Sequence, residues 1–268
     1  MDSELRNMQQ RFAAWMRQYH TPNMIRRARN VPLRQDMMTL MTYVRDHKVV
    51  GTQSTGNMPL KHIREVTSHF VKPPVLDATI GDRTYRLRTE FDVWPLHYLH
   101  ILADVGQLVD IAPARRWRIT KHGKKFIDTD PLLQLSNLLT IWWYYVNWLV
   151  AYPLSGMGEM LPPDFNLITL DHLRSLPPGP FVSFEAFADG LIEEAGLTWT
   201  AENTSIATMT LRSSIARMVI YILANFGALT YKTREEPLGK GTIEKLDRFK
   251  ITPLGRCLLD NLDAVRKF

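Results

Sequence analysis

Apolar residues recur along this chain in two rhythms, a helical one at three- and four-residue spacing and short alternating runs, and the succession occurs twice. ILADVGQL (101–108) matches ILANFGAL (222–229) at its Ile, Leu, Ala, Gly and Leu positions, 121 residues further on. RWRITKHGKKFID (116–128) matches RFKITPLGRCLLD (248–260) at Arg, Ile, Thr, Gly and Asp, with an offset of 132. Two blocks in the same order predict one supersecondary unit used twice, with eleven extra residues between the blocks of the second copy. Each copy reads as an apolar helix ending at a glycine (Gly106, Gly227), a short strand, a connection, an alternating strand and a helix opened by Thr-x-x-Gly. In RWRIT the alternation puts Trp117 and Ile119 on one face and the cations on the other, a half-buried hairpin with a basic outer side.

The remaining stripes fill in the units. Met8, Phe12, Trp15 and Met16 predict a short amphipathic helix, and Met37, Met38, Leu40, Met41 and Val44 predict another within 35–49. GTQSTGNMP (51–59) has the glycines and hydroxyls of a phosphate loop. It lacks the Gly-Lys-Ser/Thr ending and the preceding buried strand, so a strand and turn with Pro59 opening a helix is the better account. That helix carries Leu60, Ile63, Val66, Thr67 and Phe70 inward, and 72–92 follows as an insertion-like loop. A helix from about Asp92 leads into the first repeat block. Further on, Phe184, Phe187, Ala188 and Leu191 mark a helix begun near Ser183, and 204–227 reads as a long helix.

A helix, a β-hairpin and a further helix, written L…G.L…(R/K)W.(I/L)T..G..(F/L)(I/L), resembles the recognition-helix-to-wing segment of MarR- and PadR-like bacterial regulators. The resemblance covers 30 to 40 residues in each half. It implies a mainly α chain with small β-hairpins, an α+β fold of two winged-helix domains. The expected boundaries are an N-terminal helix and basic arm over 1–35, winged-helix domains over 36–130 and 161–268, and a buried apolar linker helix over 131–160. Winged helices serve as DNA readers and as protein-docking modules alike.

The linker expectation rests on 131–158, which carries no charge at all. Gln134, Asn137 and Asn147 interrupt it, and Trp142, Trp143, Tyr144, Tyr145 and Trp148 crowd its middle rather than its ends. Such a segment suits a helix buried between domains better than a membrane span, with lipid contact as the alternative. Apolar content of 45% and charge of 22% are those of a folded soluble chain. A single cysteine, Cys257, excludes an internal disulfide or a multi-cysteine metal site, and no signal-peptide pattern opens the sequence, so the cytoplasm is expected.

Charge then singles out one half. Residues 1–130 hold 21 Lys/Arg against 13 Asp/Glu, and residues 131–268 hold 12 against 14, so the net +6 comes from the first half. The candidate nucleic-acid contacts are Arg26, Arg27 and Arg29 in the arm, Arg115, Arg116, Arg118, Lys121, Lys124 and Lys125 on the wing, and Arg212 and Arg217 beside short hydroxyls in the long helix. Each has a plainer reading as a solvated surface. Against groove insertion by the first unit, Glu90 and Asp92 stand at the start of its recognition helix, and acids meet phosphates badly. His97 and His100 have the spacing of a chelating pair without further ligands, so no metal and no cofactor is expected. No nucleophile with a base emerges, so the expected function is non-enzymatic DNA binding, as a regulator or DNA-associated subunit. The alternative is a docking subunit holding a protein partner or a second copy, as in the tandem winged-helix subunits of bacterial chromosome-organising complexes that this layout resembles.

Overall fold

A computed structural model describes residues 2–80, 82–151, 161–198, 204–238 and 241–266. The chain is mainly helical with small antiparallel sheets, an α+β fold, and divides into two compact units. One comprises 25–146; the other combines 1–24 with 147–268.

In chain order, α1 (Asp2–Tyr19), α2 (Pro22–Arg29), α3 (Pro32–Asp46) and α4 (Leu60–Ser68) precede a small hairpin of β1 (Ala78–Ile80) and β2 (Arg83–Tyr85). A 3-10 turn at Glu90–Asp92 leads into α5 (Trp94–Val105). Next come β3 (Val109–Asp110), β4 (Arg118–Ile119), α6 (Lys121–Asp128) and α7 (Pro131–Tyr144). The second unit continues with α8 (Trp148–Ala151), α9 (Phe165–Ser175), β5 (Val182–Ser183), α10 (Phe184–Glu194) and α11 (Thr204–Ile215). A π turn at Ala216–Ile220 joins α11 to α12 (Tyr221–Asn225), and β6 (Leu229–Leu238), β7 (Gly241–Ile251) and α13 (Pro253–Ala264) complete it.

In the 25–146 unit, α3 turns Leu33, Met37, Leu40, Met41 and Val44 inward at helical spacing, and α5 and α7 pack against it. Extended residues 49–51 lie along the residues just ahead of β4: Trp117 N donates to Val49 O at 3.0 Å and Gly51 N to Arg115 O at 2.9 Å. The extended stretch before α4 thus meets the residues just ahead of β4 through one isolated bridge, Val50 to Arg116, and β4 pairs with β3. In the other unit the order is β5-β7-β6. Apart from the β1–β2 hairpin inserted between α4 and α5, both units therefore run helix, extended stretch, helix, helix, hairpin, helix, with the extended stretch beside the second hairpin strand.

The Thr-x-x-Gly repeat is a stitch between hairpin and following helix. Thr120 Oγ1 accepts from Gly123 N at 2.8 Å and donates to Gln107 O at 2.6 Å, while Thr120 N reaches Leu108 O at 3.1 Å. Thr252 Oγ1 likewise accepts from Gly255 N at 2.8 Å and donates to Gly227 O at 2.8 Å, with Thr252 N on Ala228 O at 3.0 Å. A Cβ on Gly123 would lie 2.0 Å from Leu108 O, and one on Gly255 1.9 Å from Ala228 O. Only a residue without a side chain lets helix and strand approach so closely.

These bonds correct the repeat by one residue. Gln107, not Gly106, is the counterpart of Gly227: both have positive φ, 52° and 67°, and close helices in which Leu108 N bonds Ala103 O and Ala228 N bonds Leu223 O. The ladder agrees, since Val109 faces Ile119 as Leu229 faces Ile251. Gly106 serves packing instead, because a Cβ there would come within 2.4 Å of Ile141 Cδ1. The second copy also carries a π turn, an extra residue in the helix just upstream, that the first lacks among the described residues.

Two boundaries differ from expectation. The expected basic arm after Pro22 is helix α2, and the helix before it, α1, packs on α13, where Trp15 Nε1 donates to Cys257 O at 2.7 Å and Tyr19 Oη to Asp260 Oδ2 at 2.5 Å. Arg11 adds bonds to the carbonyls of Asp263 and Arg266. The uncharged helix α7 is buried and packs on α3 and α5 of its own unit. The 152–160 part of the expected linker lies outside the described residues. Among the described residues one helical run, Thr204–Asn225, is long and apolar enough to cross a membrane, and half of its apolar window is buried in the core.

Candidate nucleic-acid interface and a buried Glu-His-His cluster

The β3–β4 hairpin is held from beneath. Trp117, 1% exposed, points inward and its indole N–H donates to Gly56 O at 3.1 Å. The Gly51 and Gly56 backbones approach so closely that a Cβ on Gly51 would meet Gly56 O at 2.5 Å. The glycine-rich 51–59 segment is therefore a support for the hairpin. With Trp117 inward, strand alternation turns Arg116 and Arg118 outward.

Arg115, Arg116, Arg118, Lys121, Lys124 and Lys125 are all exposed, and none forms an ion pair among the described residues. Arg118 stands opposite Asp110 in the ladder without closing a pair. Lys121 and Lys124 lie in the first turn of α6, where the helix dipole already presents positive charge. Cations there cost roughly 0.3–1 kcal/mol each, so the placement works against helix stability and concentrates positive potential. Arg27 and Arg29 on α2 are exposed in the same unit, and so is Arg26.

The second unit's candidates fare differently. Arg212 is half-buried and makes a two-pronged pair with Asp189 at 2.8 and 2.7 Å, with Glu185 at 3.5 Å. Donating to the Asp189 carboxylate raises the Arg212 pKa further, and its head is spent within the fold. Arg217 is exposed at the π turn, while Ser214, expected to face outward beside it, is buried with its hydroxyl on Thr210 O. On the β6–β7 hairpin Arg234 reaches Glu236, Glu185 and Asp247, and Lys245 pairs with Glu236. Lys232 and Lys250 sit over the Phe181 ring, each 5.0 Å from its centroid. Lys240 lies outside the described residues.

Sequence reasoning missed one constellation. Glu90 does not face outward at the helix start; it is 1% exposed, and its Oε1 accepts from His100 Nδ1 at 2.6 Å and His97 Nδ1 at 3.0 Å. Its Oε2 accepts from Met58 N at 2.6 Å. Burial pushes this carboxyl's pKa up, but the hydrogen bonds from His100, His97 and Met58 outweigh it and hold it down to about 2. Asp92, the other acid held against groove binding, accepts from Arg88 N and Thr89 N and caps the turn. Glu90 therefore drops out as an obstacle to phosphate approach. The available signal was an acid one turn ahead of a helix bearing histidines at i, i+3, with Pro95 fixing where that helix begins.

No family model, curated protein or solved structure matches this chain.

Proposed function

We propose that the chain is a non-enzymatic, duplex-DNA-binding protein of two winged-helix modules that grips phosphates through the first wing. The order helix, extended stretch, helix, helix, hairpin, helix in both units, with the extended stretch beside the second hairpin strand, supports the winged-helix reading. The observation that carries the DNA reading is the set of six exposed cations at 115–125 that have no counter-ion among the described residues. A protein conserves no stability by holding like charges together, whereas each phosphate it neutralises releases condensed counter-ions.

Fluorescence anisotropy of a labelled duplex of about two helical turns, read from 50 to 200 mM salt, tests it. Six phosphate contacts give a log–log slope near −5 and a loss on the order of 10³-fold across that range. Absence of binding at 50 mM salt ends the reading.

One observation favours a second reading, a docking subunit for a protein partner. The C-terminal unit neutralises its own wing while α11 leaves Ile206 and Met209 about half exposed. Co-purification of one stoichiometric partner, lost on Met209→Glu, is its expected result.

A further inference from the structure

We propose that Glu90, His97 and His100 form a binding site for a divalent first-row transition ion, with Zn²⁺ the best-fitting probe. One ligand atom from each lies within 4.8 Å of the others, and two Nδ1 atoms already converge on one carboxylate oxygen. A tetrahedral centre with bonds of ~2.0–2.1 Å spaces its ligand atoms ~3.3 Å apart. The contacts of 2.6 and 3.0 Å therefore open by less than about 1 Å to admit an ion.

Charge argues the same way. The Glu90 side chain is fully shielded from solvent, and no Lys or Arg pairs with it among the described residues. A carboxylate buried without a fixed cation needs positive charge at this point, which a proton shared with an imidazole or a metal ion supplies. Two imidazole nitrogens and one carboxylate select a borderline-soft ion over Mg²⁺, which prefers all-oxygen octahedral sites.

The surroundings already do what an outer shell does. Met58 N fixes the second Glu90 oxygen, the Trp117 ring stands edge-on to His100 with centroids 4.9 Å apart, and Phe91 lies 4.3 Å from His97. Both histidines keep only 13% and 10% of their side chains exposed, enough for an ion to enter and leave the site partly open to a water ligand. On binding, each imidazole moves its proton from Nδ1 to Nε2 and no net charge is lost from the ring.

The test uses chelator-stripped full-length protein titrated with Zn²⁺ by calorimetry, and its readout is ion binding, independent of the DNA reading. One saturable site per chain, no response to Mg²⁺, and at least about tenfold weaker affinity in His97→Gln and His100→Gln are expected. Should those variants fail to fold, long-range ¹⁵N NMR of the wild-type histidines decides, with two rings switching from the Nδ1–H to the Nε2–H tautomer as Zn²⁺ is added. No saturable site, affinity unchanged in both folded variants, or rings that keep their tautomers overturns the proposal. Zn²⁺ captured instead at the surface, where His47 Nε2 lies 3.7 Å from Glu65 Oε1, would appear as that unchanged affinity.

Discussion

In the hairpin of the 25–146 unit Arg115, Arg116 and Arg118 project with no counter-ion among the described residues, whereas in the C-terminal hairpin Arg234 alone meets Glu185, Glu236 and Asp247. Length explains part of the contrast. Strands β3 and β4 have two residues each and set one acid, Asp110, opposite one cation, Arg118, while β6 and β7 have ten and eleven. The long ladder even sets Arg234 opposite Lys245 and Glu235 opposite Glu244, like facing like, and Glu236 relieves the first clash by pairing with both cations. One supersecondary unit thus supports two surfaces, one with its charge left available and one with its charge consumed.

The sharpest way to break the comparison is to remove what the copies share. Gly123→Ala and Gly255→Ala each drive a methyl into a backbone carbonyl, and each is expected to cost about 3 kcal/mol or more in denaturant unfolding. A cost below about 1 kcal/mol at either site would show that the two stitches are not equivalent.

Next in size are the charges that differ. Replacing Arg115, Arg116 and Arg118 together by Ala is expected to weaken duplex binding on the order of 10²-fold near 0.1 M salt and flatten the salt slope by 2 to 3, at ~0.9 per lost phosphate contact. The matching triple change of Lys232, Arg234 and Lys245 should stay within about threefold of wild type, since those cations are already occupied. Equal losses from both would erase the distinction between the wings.

Smaller effects test the one-residue shift. Gly227→Ala should cost about 1 kcal/mol by thermal unfolding, because it forces a Cβ onto a positive φ, and Gln107→Gly should be neutral to slightly stabilising for the converse reason. A large loss from Gln107→Gly would restore Gly106 as the counterpart. Smallest of all, Arg212→Ala breaks a partly exposed ion pair, costs about 0.5 kcal/mol or less, and leaves DNA affinity unchanged in a direct titration.

Much of the fold was legible because it rests on local rules. The stripe of Met37, Leu40, Met41 and Val44, the Thr caps at 120 and 252 and the inward Trp117 all follow from periodicity and capping chemistry. What escaped depends on distant contacts. Glu90 reads as an exposed acid until the 72–92 segment folds its 3-10 turn back over the Met58 backbone. Gly106 and Gly227 look equivalent because glycine answers two different needs, close packing in one case and a left-handed backbone in the other. The availability of Arg115 and the engagement of Arg212 were equally invisible, since a counter-ion such as Asp189 sits 23 positions away.

The bond from Trp15 to Cys257 spans 242 positions, and it makes the outer unit discontinuous, with the whole of 25–146 inserted between its two parts. The inserted unit can close on its own local contacts, while the tryptophan of helix α1 finds its seat only once α13, far along the chain, is present. Trimming α1 would therefore strip its cover from α13, a helix more than two hundred positions away in the sequence.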